Sequence, residues 1–361
     1  MKAFNKHNGL MVISLDSDFK EYGRLFSSIQ EKNVYLLPSY LKSAQCAEGY
    51  SVRVMIFIEN DKIAMIPYIK RRINDLPLFK ELKYECWDII SPHEYSYAIS
   101  NITDTDERNS LFTKLFSTVA GYCKESNIIS EFVRFDPFLS DINCIKPHYN
   151  IRKSCDNVYI DLRKNSNEIW KAFHSSAKKN IKRAEASNLS FLQAENNEEN
   201  INIFINLYQA SMERLRADKY FYFSDEYFRT LIGNCEGASL FFVRDKNNRV
   251  VAASIVLHYG RIAYHHLTGY TIESIPLRPN DYLIYSLINW GKDNNLHYLH
   301  LGGGAESICN FKAKFSDKRI PFYVGCKVHD QKMYLLLCDI WRRKTGFLQS
   351  SDFFPLYRLE H

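Results

Sequence analysis

The chain has 361 residues, enough for two domains with full cores, and its 46% hydrophobic and 24% charged content is that of a globular protein. A net charge of +6 is mildly basic and favours an anionic partner without demanding one. Nine cysteines, an odd number with no C-x-x-C pair, argue against a disulfide framework or zinc site and for a reducing cytoplasm. The N-terminal stretch carries Lys2 and Lys6 but no apolar core of a signal peptide, and no window approaches 18 apolar residues, so a cytoplasmic location without a transmembrane segment is expected.

In chain order, a helix is expected near Phe19–Gln30 and a short one at Ser39–Ala47 after Pro38. The apolar runs Val52–Ile58 and Ile63–Ile69, separated by Asn60-Asp61, read as a β-hairpin. A loop region holding Pro77 and Pro92 follows. Asp104 with Glu107 three residues on then opens a helix through Leu111, Leu115 and Val119, which feeds a strand at Ile128–Phe135.

The second half begins near Tyr159. A polar, basic helix is expected at Ser166–Ser187, and an amphipathic one at Glu198–Leu215. After it the earlier punctuation returns. Tyr227-Phe228-Arg229-Thr230 parallels Tyr40-Leu41-Lys42-Ser43, Glu236-Gly237 parallels Glu48-Gly49, and the runs Leu240–Val243 and Val250–Leu257 flank Asn247-Asn248. A third strand (Ile262–Thr268), a loop (Gly269–Asn280), a helix (Asp281–Lys292) and a strand (Leu296–Leu301) complete the unit. The repetition implies one supersecondary unit used twice: an α/β (α+β) fold of two similar domains, 1–150 and 151–361, each a mixed sheet flanked by helices, with a cleft between them.

A strand–loop–helix–strand unit sets unpaired helix N–H groups beside a gap between parallel strands, which is an anion site by geometry. Arg278 adds a fixed positive charge there and Asn280 is a natural N-cap, so both are candidate donor-binding residues; a plain helix start reads the same, and Asp281 opposes a strong phosphate site. Gly302, Gly303 and Gly304 directly follow a strand and allow a ligand close to main-chain amides. Their sequel, Asn310-Phe311-Lys312-Ala313-Lys314-Phe315, brings ammonium groups near the cleft, where one can stabilise an acyl oxyanion; solvated lysines on an edge segment are the plainer alternative. Arg214 and Arg216 precede Tyr220-Phe221-Tyr222-Phe223, arginines and rings that suit either an acceptor groove or a core. On the third strand, alternation sends Tyr264 and His266 to one face and His265 to the other. The basic face Ala177–Arg183 is a solvated helix side or a track for a nucleic-acid backbone. No G-x-S-x-G, P-loop, H-E-x-x-H or G-x-G-x-x-G occurs, which removes the common hydrolase, NTPase and dehydrogenase readings.

The basic helix around Ala177–Ala186, the helix ending Met212-Glu213-Arg214, and the strand Leu299–Leu301 running into Gly302-Gly303-Gly304 and Phe311-Lys312-x-x-Phe315 together resemble the Fem family of aminoacyltransferases, within the wider GNAT-like acyltransferases. The resemblance spans nearly the whole chain, most specifically residues 159–316. It implies a duplicated GNAT fold and amide formation: transfer of an acyl group from acyl-CoA, or an aminoacyl group from aminoacyl-tRNA, to an amine of a cytoplasmic cell-envelope or surface-polysaccharide precursor. No metal and no permanently bound cofactor are implied. An aminoacyl donor would make tRNA a partner, and an envelope acceptor would bring the protein to the inner membrane face. By position, Lys312 matches the lysine that stabilises the reacting carbonyl and Arg214 an acceptor-binding arginine. Tyr264 and His266 fall where the acceptor channel is lined, with His266 or Glu306 as proton acceptor. Asp218 and Lys219 interrupt the family's small-residue stretch, and its long helical-hairpin insertion is missing from the sequence. From another class, a non-catalytic RNA- or nucleotide-sugar-binding module on the same scaffold is the alternative.

Overall fold

The structure, a computed structural model, describes residues 9–347 and 349–360; Lys2 and Lys6 lie outside them. The first part of the chain forms β1 (Leu10–Ser14), α1 (Leu15–Ser27), α2 (Pro38–Glu48), β2 (Val52–Glu59), β3 (Lys62–Arg72), β4 (Trp87–Ile90), β5 (Ile99–Ser100), α3 (Thr105–Glu125), β6 (Ile128–Arg134) and α4 (Ile142–Ile145). Then come β7 (Asn150–Asp161), α5 (Ser166–Ala172), α6 (Ser175–Ala186), β8 (Ser190–Ala194), α7 (Glu198–Leu215), α8 (Asp225–Asn234), β9 (Ala238–Arg244), β10 (Val250–Tyr259) and β11 (Ile262–Tyr270). The chain continues through α9 (Pro279–Asp293), β12 (Tyr298–Gly302), α10 (Glu306–Ala313), β13 (Arg319–Val328) and α11 (Gln331–Thr345).

Two compact units result. The first joins the chain up to Ser154 with the chain from Phe322 on; the second is Cys155–Pro321. The division expected at residue 150 lies close to the first boundary, but residues from Phe322 on gather with the first unit instead of the second. The reason is local: β13 pairs antiparallel with β6 from Val324↔Arg134 to Val328↔Ser130, and Trp341 and Leu337 of α11 bury with Ile73, Phe79 and Ile129. The apolar face of α11 thus finds its partners on the first unit.

Inside the first unit the strand order is β1-β2-β3-β4-β6-β13, with β5 on β3; inside the second it is β7-β12-β11-β10-β9-β8. The repeated punctuation corresponds to repeated topology. In each unit a strand, two helices, an antiparallel hairpin and a third antiparallel strand lead into a helix and a parallel strand: β1 to β6 with α1–α3, and β8 to β12 with α7–α9. The hairpin turns place Asn60 and Asn248 at positive φ, which explains the asparagines that marked them.

The Asp104 side chain accepts from the Glu107 amide, and α7 begins and ends where its periodicity puts it. The long basic helix is in fact two, α5 and α6. Phe173 is extended and buried between them, and the His174 ring caps the second by accepting from the Ser176 amide. A buried aromatic anchor outweighs helix continuity there. β1, β7 and β13 are additional strands that neither strong alternation nor turn residues announced.

The second unit's main core lies beneath α6 and α9, with Ile181, Ala184, Leu283 and Leu287 packed on Phe241, Val243 and Val256. On α7 the approach is closer: a Cβ on Gly269 of β11 would sit 2.5 Å from backbone atoms of Leu207 and Tyr208. Gly269→Ala is therefore expected to cost about 1–3 kcal/mol through forced backbone displacement. Gly233→Ala in α8, where the new methyl meets only the Ile201 side chain at 4.0 Å, keeps or raises stability. Urea unfolding of both variants checks this, and equal stabilities would contradict the tight α7–β11 contact.

Candidate active site

β11 and β12 are parallel neighbours for only three pairs, Ile262↔Tyr298, Ala263↔Leu299 and Tyr264↔His300. Beyond them no pairing continues. A bulge in the β10–β11 ladder, which sets Ile255 opposite Leu267 and Val256 opposite His265, falls at the same place. Bulges redirect side chains and end pairing, so the sequence His265-His266 stands where the strands part.

The two histidines turn to different partners. Nε2 of His265 lies 2.7 Å from the Thr268 hydroxyl, and Nε2 of His266 lies 2.8 Å from the hydroxyl of Tyr227 on α8. Tyr227 is fully buried, with Phe223 against its ring at 4.5 Å between centroids. Tyr264 is also buried, its ring edge-on to His300 at 5.3 Å, so it forms the wall behind the opening instead of an open channel lining.

At the end of β12 the backbone turns through Gly302 (φ +77°) and Gly304 (φ +133°), conformations that suit glycine. A Cβ on Gly303 would fall 2.6 Å from Asn157 Oδ1 and 2.7 Å from Cys155 Sγ, so this glycine is required by close approach to β7. The residues after the glycines form helix α10. Phe315, just beyond the helix, is buried against Phe173 at 5.5 Å, and Phe311 packs on Phe315 at the same distance. The Phe311-Lys312-x-x-Phe315 spacing thus anchors α10 by its rings and turns Lys312 back to the strand end, where Nζ donates to the Gly303 carbonyl at 2.6 Å. A helix separates what an extended segment would keep together: Lys314 is the C-cap, its ammonium 5.3 Å from the Phe311 ring.

Burial, with Lys312 as the next cause, pushes His300 down to about 3; burial, then Lys312, then His266 push His265 down to about 3. Both rings are neutral at physiological pH. Lys312, Gly302, Gly303 and Gly304 are therefore brought together with His265, and with His300, Asn157 and Cys155 as neighbours that sequence reasoning missed. No motif marks those three. Tyr227 was visible only as the start of the repeated unit.

Helix α9 starts one residue earlier than its expected cap. Pro279 holds the first helical position and Arg278, at φ +63°, is the N-cap, so Asn280 lies inside the first turn and does not cap. The fixed φ of proline suits that position and displaces the cap upstream. Arg278 Nε and Asn280 Oδ1 are buried atoms with no hydrogen-bond partner among the described residues. Asp281 is 5% exposed and accepts from Asn180 Nδ2 of α6 at 3.0 Å; burial raises its pKa, opposed by Asn180, Lys314 and Arg278. Cations, helix amides and one buried carboxyl with a raised pKa thus meet at this helix start.

Arg214, at the end of α7, donates to the Tyr270 carbonyl at 3.3 Å and lies 4.3 Å from the Tyr270 ring centre. It borders an open cleft of about 420 Å³ lined also by Leu207, Glu213, Thr271, Ile272 and Glu273. Tyr220 sits apart on an exposed turn, Lys219–Phe221, initiated by the Asp218 side chain; Glu306 is exposed at the start of α10. Among the described residues no cluster of metal-ligating side chains occurs and no helix is long and apolar enough to cross a membrane.

Residues 171–313 match the acetyltransferase (GNAT) domain family. No curated protein matches the chain. Among solved structures, FemX aligns with a TM-score of 0.62 at 12% identity, covering 91% of this chain and 99% of its own. The C-terminal domain of a putative lysylphosphatidylglycerol synthetase from Agrobacterium fabrum aligns at 0.56 and 12% identity (87% and 92% covered). L-PGS from Bacillus licheniformis aligns at 0.54 and 13% identity (88% and 94%). At these identities the likeness establishes the fold alone, which is GNAT-like, in keeping with the domain matched over residues 171–313.

The neutral His300 has a measurable signature. Its folded pKa, about 3, lies below the unfolded value near 6.5, so the unfolded chain binds the extra proton between those limits and stability falls as pH drops from 6.5. The expected contribution is about 1.4 kcal/mol per pH unit. His300→Gln should flatten the stability–pH slope between pH 6 and 4 by about one proton; urea unfolding across that range measures it, and an unchanged slope would refute the buried neutral state.

Proposed function

We propose that the protein is an amide-forming N-acyltransferase whose second unit carries the chemistry. One observation carries the reading: Lys312 Nζ is fixed at 2.6 Å on the Gly303 carbonyl, at the mouth of the gap where β11 and β12 part. An activated acyl carbonyl entering that gap meets a positioned ammonium, and a negative charge developing on its oxygen is stabilised there.

The donor is an acyl thioester such as acyl-CoA, or an aminoacyl ester on tRNA. Its phosphates would rest on the N-terminal amides of α9 beside Arg278 and Asn280, with the buried Nε–H of Arg278 as a further donor and Gly302, Gly303 and Gly304 passing its backbone-hugging arm. The amine comes from the α7–α8 side, where Arg214 flanks the approach and Tyr264 backs it. The nitrogen attacks the carbonyl carbon, Lys312 stabilises the tetrahedral oxyanion, His266 (held by Tyr227) receives the amine proton, and collapse expels the thiol or hydroxyl. Placement of the two reactants supplies roughly 7–11 kcal/mol and the lysine about 3–4 kcal/mol more.

The acceptor is an amine on a cell-envelope or surface-polysaccharide precursor, made available in the cytoplasm or at the inner membrane face. FemX and the putative lysylphosphatidylglycerol synthetase domain motivate that choice of class.

Two variants separate the roles. With an acyl-CoA as donor and released thiol as readout, Lys312→Ala should lower kcat about 10²–10³-fold while the donor still raises the melting temperature. Arg278→Ala should instead raise the donor KM and remove most of that thermal shift. Full turnover in Lys312→Ala would overturn the oxyanion role. Stabilisation by charged tRNA and by no acyl-CoA would assign the donor to the aminoacyl class.

A further inference from the structure

Two thiols meet at the glycine loop. Cys309, on the first turns of α10, donates from Sγ to the Gly304 carbonyl at 3.2 Å. Cys155, on β7, takes the Gly304 backbone N–H at its sulfur and donates to Asn157 Oδ1 at 3.3 Å. The same sulfur is 2.7 Å from the place a Cβ on Gly303 would occupy. Both sulfurs therefore engage one residue, from its N–H and its C=O, across a loop of three glycines that adds no side chain of its own. Both cysteines are half-buried and reduced, whereas Cys86, Cys123, Cys235 and Cys338 are buried in packed surroundings.

We propose that Cys155 and Cys309 are an oxidisable pair whose closure to a disulfide, by a peroxide acting as two-electron oxidant, withdraws Lys312 from the strand end. One thiolate attacks a peroxide oxygen, breaking the O–O bond to give a sulfenic acid and water. The second thiolate then attacks that sulfur and expels hydroxide, which leaves as water. Two S–H groups and one peroxide thus give one S–S bond and two waters. A disulfide sets the two Cα atoms about 4.4–6.8 Å apart with strict torsional demands, and in this proposal meeting them shifts the first turns of α10 together with the glycine loop. Lys312 is three residues beyond Cys309 on that helix, and its anchor is the Gly303 carbonyl, so the same movement displaces the ammonium. Burial raises the Cys155 thiol pKa, so closure quickens as pH rises.

The activity arm of the test rests on the acyltransferase reading; the mapping arm does not. The whole protein is treated with hydrogen peroxide, remaining thiols are alkylated, and peptides are mapped with and without dithiothreitol. The expected result is a Cys155–Cys309 cross-linked peptide, lost in Cys155→Ser and in Cys309→Ser, with acyl transfer falling at least tenfold in the oxidised protein and returning on reduction. Both serine variants should resist the oxidant. Separate alkylation of the two thiols after oxidation, or cross-links confined to other cysteines, would overturn the pair. A mapped cross-link with turnover unaltered would overturn its control over Lys312. Absence of any acyl transfer in the untreated protein would count against the acyltransferase reading and leave the mapped cross-link to decide the pair.

Discussion

Everything at the candidate site follows from two parallel strands that pair for three residues and then separate. A parallel ladder needs evenly spaced bonds, and once β11 and β12 part, their backbone groups face a gap instead of each other. The bulge at His265-His266 ends the ladder on one strand, and the glycine turn ends it on the other. Neither device is sufficient alone. A bulge without the glycines would leave the gap sealed by side chains on β12, and glycines without the bulge would leave β11 aligned to continue pairing.

Three close approaches hold this opening in shape, and each forbids a side chain or fixes one. Gly269 lets β11 lie on the backbone of α7, Gly303 lets β12 lie against β7, and Phe315 fixes α10 so that Lys312 points back. The ammonium then acts on its surroundings as well as on any substrate. With burial it keeps His265 and His300 neutral. A positioned ammonium beside neutral rings is suited to charge that appears only as a reaction proceeds.

Much of the architecture was legible because it is local. Asp104 with Glu107, the asparagine hairpin turns, and the period of Phe204, Tyr208 and Ser211 on α7 each report geometry set by a few neighbouring residues. The internal repeat made the order of elements readable twice over. What stayed hidden depends on long-range contact. Phe173 breaks a helix because its ring is wanted in the core, and the C-terminal residues join the first unit because β6 offers an edge for β13. At the site, Lys312 and the glycines were visible as an ordered motif, whereas Asn157, Cys155 and Tyr227 were not. Their significance lies in what stands opposite them across a strand or helix, and no spacing along the chain encodes that.

The two copies of the fold differ at the corresponding strand end. In the first unit the parallel pair β4–β6 runs from Trp87↔Ile128 to Ile90↔Phe132 and is then continued by the Ser91 amide to Phe132 O and the Ser96 amide to Arg134 O. The chain between is thereby stitched down where the second unit opens. In place of Gly302-Gly303 the first unit has Asp136, buried, its carboxylate taking the amides of Phe138 and Leu139 and the side chain of Asn33. A carboxylate that already satisfies a turn neither admits a ligand to the backbone nor stabilises an oxyanion. Duplication kept the topology, which hydrophobic pattern alone can maintain, while the open strand gap, the glycine turn and the returning lysine occur together in the second unit.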